Sequence, residues 1–156
     1  MGLTVGPSTS HPSYINWSTT ALGSTVCGGR LFCKSLGIAW IVAPAATQVT
    51  ATWNGTTNTL VGNKPCVSDW SSLNTALING GLTPTQWFVP SISQLQSGYA
   101  CRTFWDSFSS EKYWSSTEAS AISAFYVRFG TGGTYTNNKG CLICVGCVRA
   151  FRCVTY

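Results

Sequence analysis

The sequence predicts an α+β domain built on antiparallel sheet, with two short helices and long loops. Three observations predict it. Short β-rich runs bounded by glycine and asparagine turns recur along the chain. Two helical patterns, near 69–79 and 91–99, interrupt them. The elements never alternate as strand, helix, strand, so a doubly wound parallel sheet is not expected. At 156 residues the chain fits a single domain.

Residues 1–23 carry Gly, Ser, Thr and Pro without a hydrophobic period and read as an extended N-terminal arm; the domain follows over 24–156. In the arm Leu3, Val5, Tyr14, Ile15 and Trp17 are spaced so that an extended strand inserts them into grooves, on a neighbouring subunit or, second, on the domain itself. Val26 to Leu36 is strand-like, and Gly37 to Ala43 is a buried strand stopped by Pro44. Gln48–Trp53 and Thr56–Val61 flank Asn54-Gly55, the dipeptide of a type I′ hairpin. Ser68 offers a helix N-cap before Trp70, Leu73 and Leu77, and Gly80-Gly81 ends that helix. Ser91 and Gln94 form a capping-box pattern for the second helix. A Ser-rich loop covers 104–112. Ala124–Phe129 and Thr134–Thr136 then flank Gly130 to Gly133 as a hairpin, and a final, central strand is expected near 144–154.

Charged residues are 8% of the chain, against roughly 25% in an ordinary soluble domain. The net charge of +5 rests on nine scattered Lys and Arg, so no basic stripe for nucleic acid is present. No apolar run approaches the roughly 18 residues of a membrane span. The first 24 residues lack the basic and apolar regions of a secretion signal, and none is expected. The one histidine, His11, lies in the arm, so no Ser-His-Asp or Cys-His arrangement is available, and the chain is not expected to be an enzyme.

Eight cysteines, an even count in a low-charge chain, suggest disulfides, although spacing alone cannot pair them. Candidates are Cys27, Cys33, Cys66, Cys101, Cys147 and Cys153. The run Cys141-x-x-Cys144-x-x-Cys147 has the spacing of a zinc or iron–sulfur site. Its neighbours Leu142, Ile143, Val145 and Val148 are apolar and strand-like, which favours bridges and buried thiols over a metal. At least one disulfide is expected to tie Cys147 or Cys153 to an earlier element. No cofactor is expected.

Four ordered motifs carry a family resemblance over about residues 26–154. Trp87-Phe-Val-Pro90-Ser91 followed by Leu95 is one, and Tyr113-Trp-Ser-Ser-Thr-Glu118 is another. The third is Ala124 to Phe129 with Gly132, Gly133 and Lys139, and the fourth is Val148-Arg-Ala-Phe-Arg152. Gly28-Gly29 to Phe32 and Gly37 to Pro44 agree. The chain resembles the Lcl C-terminal domain family, which is C-type-lectin-like and occurs in collagen-like adhesins and phage tail proteins. The resemblance implies that fold, with Trp87, Pro90, Leu95, Tyr113, Trp114, Glu118, Phe129, Arg149 and Arg152 as its structural core. A carboxylate–guanidinium pair is expected between Glu118 and Arg149 or Arg152. The Glu-Pro-Asn, Gln-Pro-Asp and Trp-Asn-Asp triplets of calcium-dependent lectins are missing. With four carboxylates in all, Asp69, Asp106, Glu111 and Glu118, no calcium site is expected.

The resemblance further implies a non-enzymatic structural or binding protein of a tailed-phage virion, as a capsid decoration or tail-fibre component. Its partners would be other virion proteins, further copies of itself, and a host-surface glycan or protein receptor. The alternative is a secreted or surface lectin-like adhesin. The chain shows no Gly-x-y stalk, which favours the virion particle as its location.

Overall fold

The computed structural model describes residues 15–53, 58–140 and 144–156. Its first sheet grows from two consecutive hairpins: β1 (Thr25–Val26), β2 (Gly29–Ser35) and β3 (Ile38–Val42) pair antiparallel. Each hairpin turns through two residues of positive φ, Cys27 (49°) with Gly28 (88°) and Leu36 (52°) with Gly37 (77°). That is the type I′ signature, whose twist matches the strands it joins. The second sheet holds β4 (Val49–Ala51), β5 (Lys112–Glu118), β6 (Ser123–Arg128), β7 (Thr134–Asn138) and β8 (Gly146–Val148). Its order is β4-β8-β5-β6-β7, antiparallel except at the parallel contact of Tyr113 with Cys147. β9 (Phe151–Thr155) pairs antiparallel with β3 and completes the first sheet in the order β1-β2-β3-β9.

The final strand expected over 144–154 is thus two strands. β8 lies inside one sheet and β9 at the margin of the other, with Arg149 and Ala150 at the break. One short stretch of chain therefore belongs to both sheets. Phe151 also bridges to Phe88, which draws the segment before the second helix onto the first sheet.

The hairpin expected over 48–61 is not formed as a local pair. Val49–Ala51 pairs with β8, and residues 58–61 are not a strand; Asn54 and Gly55 lie outside the described residues. Tertiary contacts override the local turn signal. The Trp53 ring is fully buried and its Nε1 donates to the Ser115 carbonyl at 2.8 Å, while Val61 and Gly62 donate their N–H groups to Glu118.

The helices are α1 (Ser71–Asn79) and α2 (Ile92–Ala100). Ser68 does not cap α1: Val67–Asp69 form a 3₁₀ turn, and Trp70 takes the N-cap position without a side-chain cap. The Trp70 ring is buried and donates to the Lys64 carbonyl at 2.9 Å, so anchoring the indole decides where the helix begins. The capping box of α2 forms as its sequence predicts. Gln94 N donates to Ser91 Oγ and Ser91 N donates back to Gln94 Oε1.

The first sheet separates two apolar clusters, as alternation along its strands requires. Leu31, Ile41 and Ala39 join Trp53, Trp70, Leu73, Leu77, Trp87 and Trp114. Phe32, Val42 and Phe151 join Leu95, Trp105, Tyr113, Val127 and Phe129. Ile15 and Trp17 pack into the first cluster, and Trp17 stacks on Tyr156 at 5.6 Å between ring centroids. Lys34 donates to the carbonyls of Trp17 and Thr20. The described end of the arm thus packs on its own domain, while Leu3, Val5 and Tyr14 lie outside the described residues. Among the described residues no helix is long and apolar enough to cross a membrane.

Leu36 combines a positive φ with 98% exposure, a poor place for a branched apolar side chain. Leu36→Asn is expected to stabilise the domain by about 0.5–1 kcal/mol in urea unfolding. Gly98 faces the opposite constraint: a Cβ there would stand 2.5 Å from the Phe151 ring and 3.2 Å from Trp105. Gly98→Ala is expected to destabilise by about 1–3 kcal/mol in the same measurement, because the second cluster has no room to yield.

Candidate functional site

Two ionic contacts hold the frame of the site. The pairing expected for Glu118 with Arg149 or Arg152 does not occur. Glu118 Oε2 pairs with Lys139 Nζ at 2.5 Å, and Lys139 is fully buried. Lys139 also donates to the Thr59 carbonyl at 3.0 Å and lies 5.1 Å from the Trp53 ring centroid. β7 and β5 are separated by β6, so the residue just past β7 meets the end of β5 by crossing that end of the sheet. Lys139 hydrogen bonds, then the Val61 and Gly62 N–H groups, hold the Glu118 carboxyl down at about 2.

Arg149, 2% exposed, pairs instead with Asp106 at 2.5 Å. It donates further to the carbonyls of Ala43 and Ser107 and to Gln48 Oε1. Burial alone would raise the Asp106 carboxyl; the Ala45 N–H and the Arg149 guanidinium outweigh it and hold it low. Arg152 donates to the Cys27 carbonyl at 2.9 Å and sits 5.9 Å from the Trp87 ring centroid.

The remaining motif residues are packed. Pro90, Leu95, Tyr113, Trp114 and Phe129 are buried. Trp114 Nε1 donates to the Ala51 carbonyl, whereas the buried Trp87 Nε1 has no hydrogen-bond partner among the described residues. Thr117 Oγ1 accepts the Ile92 N–H at the start of α2, and Ser115 Oγ donates to the Phe125 carbonyl. The hydroxyls of that motif therefore satisfy backbone groups where β5 meets α2 and β6.

The outer face of the second sheet carries a different set of residues. Lys112 and Arg128 stand opposite one another across β5 and β6, and Trp114, Tyr126 and Tyr135 follow in the next row across β5, β6 and β7. Adjacent rings in that row lie 6.0 and 5.6 Å apart. The row grades from a buried Trp114 to a Tyr135 that is 50% exposed. Lys112 Nζ lies 5.5 Å from the Tyr126 ring centroid. Both cations, Tyr126, Asn137 and the Glu111 carboxylate border a cleft of about 380 Å³.

Like charges directly opposite on a sheet repel. Desolvation first, and the Arg128 charge second, lower the Lys112 pKa, with Glu111 opposing. A ligand that supplies acceptor oxygens to both cations relieves that repulsion, while the tyrosine rings offer flat apolar surface beside it. The cleft thus joins two cations to a flat aromatic surface. Of this set the sequence singled out Trp114, as a core residue; Lys112, Tyr126, Arg128, Tyr135 and Asn137 were not expected as a site. The signal lay in the alternation of Lys112 with Trp114 and of Tyr126 with Arg128, which becomes a shared face only when β5 and β6 are paired in register.

Cys27, Cys33, Cys66, Cys101, Cys147 and Cys153 are free thiols, so the bridge expected from Cys147 or Cys153 to an earlier element is not formed. Burial raises the Cys153 thiol to about 11. Cys144 is disulfide-bonded and cannot share a metal with Cys147. Among the described residues no three His, Cys, Asp or Glu side chains converge as a metal site. His11 lies outside them. No protein-family model matches the chain, and no curated protein matches it.

The Glu118 ion pair gives a pH prediction. Its carboxyl falls from an ordinary 4.5 to about 2 on folding, so over that window the unfolded chain binds the more protons. The contribution to stability is complete above about pH 4.5 and is lost as pH falls towards 2. Glu118→Gln, which leaves Lys139 buried without its counter-charge, is expected to be less stable than the wild type at pH 7. The gap between their urea midpoints should close across that window.

Proposed function

We propose that the chain is a non-enzymatic structural and binding component of a tailed-phage virion, a capsid decoration or tail-fibre part that presents a C-type-lectin-like domain. The observation that carries the binding reading is the outer-face cleft, with Lys112 and Arg128 side by side next to the Tyr126–Tyr135 rings. Repulsion between cations is maintained at a cost to the folded state, and a ligand that engages both recovers it. The ordered motifs over residues 26–154 support the lectin-like fold and the virion setting. The 8% charge content supports a part whose surface is covered by neighbours in an assembly.

A second reading, a surface or secreted lectin-like adhesin, is favoured by one feature. The ring row Trp114–Tyr126–Tyr135 ends in an exposed tyrosine beside Asn137, a pairing of flat apolar face and amide suited to a sugar ring.

Mass spectrometry of purified particles from the source is expected to find the chain at stoichiometric level. Particles carrying the double variant Lys112→Glu, Arg128→Glu should retain it but adsorb to host cells roughly tenfold less well. Absence of the chain from particles overturns the virion reading, and unchanged adsorption overturns the cleft as the contact surface.

A further inference from the structure

We propose that Cys33 and Cys101 are a modification site, oxidised together to an intramolecular disulfide that ties β2 to the end of α2. The proposal rests on their placement in the fold and not on the reading of the chain as a virion part.

Cys33 lies on β2 and Cys101 is the C-cap residue of α2, far apart in sequence. Both side chains pack against the second apolar cluster. Their neighbours fix the approach. The Phe32 ring stands 6.1 Å from Trp105, and β2 packs against the 3₁₀ turn Arg102–Phe104 that follows Cys101. Arg102 Nη1 donates to the Tyr99 carbonyl, and the guanidinium carbon lies 4.0 Å from the Tyr99 ring centroid, holding the turn against α2. Cys33 borders the same cleft as Ser97, one helical turn before Cys101, so the strand and the helix end bring both thiols to the same side of the second cluster. Burial, and after it the adjacent Cys33 sulfur, raise the Cys101 thiol above its ordinary value. Both are free thiols in the structure.

Cys33 is reached through a cleft. Cys33 lines a cleft of about 310 Å³ between β2, β3 and α2, walled by Phe32 and Trp40 and rimmed by Ser93, Gln94 and Ser97. A small peptide disulfide such as oxidised glutathione reaches Cys33 through this cleft. The Cys33 thiolate attacks one glutathione sulfur, forms a mixed disulfide and releases one glutathione thiolate. Cys101 then loses its proton to solvent, attacks the Cys33 sulfur and expels the second glutathione. Two protein thiols are oxidised and one glutathione disulfide is reduced to two thiols. Because the Cys101 thiol is raised, its thiolate fraction grows with pH, so the closing step accelerates as pH rises.

The test uses the full chain in mixtures of reduced and oxidised glutathione, quenched by alkylation and mapped by peptide mass spectrometry. The expected product is a linked peptide joining Cys33 to Cys101 in the wild type. Its formation should raise Tm by roughly 10 °C, as closing so long a loop in the unfolded chain implies. Cys33→Ser should remove both the link and the Tm shift, and Cys101→Ser should stop the reaction at the Cys33 mixed disulfide. The proposal is overturned if Cys33 and Cys101 are alkylated at every glutathione ratio, if Cys33 stops at the mixed disulfide in the wild type, or if the link forms between other cysteines. The wild-type map decides the matter even where a serine variant fails to fold.

Discussion

The buried guanidinium of Arg149 is the constraint on which the arrangement of the two sheets depends. It sits at the break between β8 and β9, where one stretch of chain passes from one sheet into the other. From there it binds the carbonyl beyond β3, the amide side chain before β4, and the loop before β5. Asp106 completes the circuit by accepting the Ala45 N–H. Tyr113 joins it: its hydroxyl donates to Gln48 and accepts from Ser109. A cation so enclosed is tolerable only if each donor finds an acceptor, since an orphaned buried charge costs about 3–5 kcal/mol. The network therefore specifies one relation between the sheets and excludes near alternatives, at little net gain in stability over an apolar plug.

Glu118 and Lys139 close the second sheet in a different way. They meet across the end of β6, and the carboxylate collects the N–H groups of Val61 and Gly62 as well. A segment with no strand partner of its own is thus held by two backbone donors on one anion. In a chain with four carboxylates, two are committed to frame contacts, and Glu111 sits at the edge of the cleft. Most of the remaining polar satisfaction comes from hydroxyls and carbonyls, which fits a surface poor in charge.

Local signals were legible in the sequence wherever local forces decide the outcome. The capping box of α2, the glycine stop after α1 and the hairpin of β6 and β7 are set by residues adjacent in the chain, and each forms. The Asn54-Gly55 signal did not govern its neighbours. β4 gains more from β8 and from burial of Trp53 than from a local partner. Charge pairing was misread for a related reason. Arg149 and Arg152 are near Glu118 in motif order, but alternation across the β8–β9 break sends them to different partners. The cleft was not legible at all, because Lys112, Tyr126 and Arg128 become neighbours only through the register of two strands. The thiol pair of Cys33 and Cys101 likewise depends on how a strand and a helix end are brought together.

The stacking of Trp17 on Tyr156 places the two ends of the described chain against each other, clamped by Lys34 on the neighbouring strand. A short linker from Tyr156 to Ile15 therefore spans little space and disturbs no described sheet pairing. New termini can then be opened at an exposed turn such as Leu36-Gly37, giving a circular permutant with the same core. The order in which the elements are synthesised is consequently separable from the architecture they build. In such a permutant β3 would be made first and β2 last, and their pairing would change from a local hairpin into a contact between the two ends of the chain.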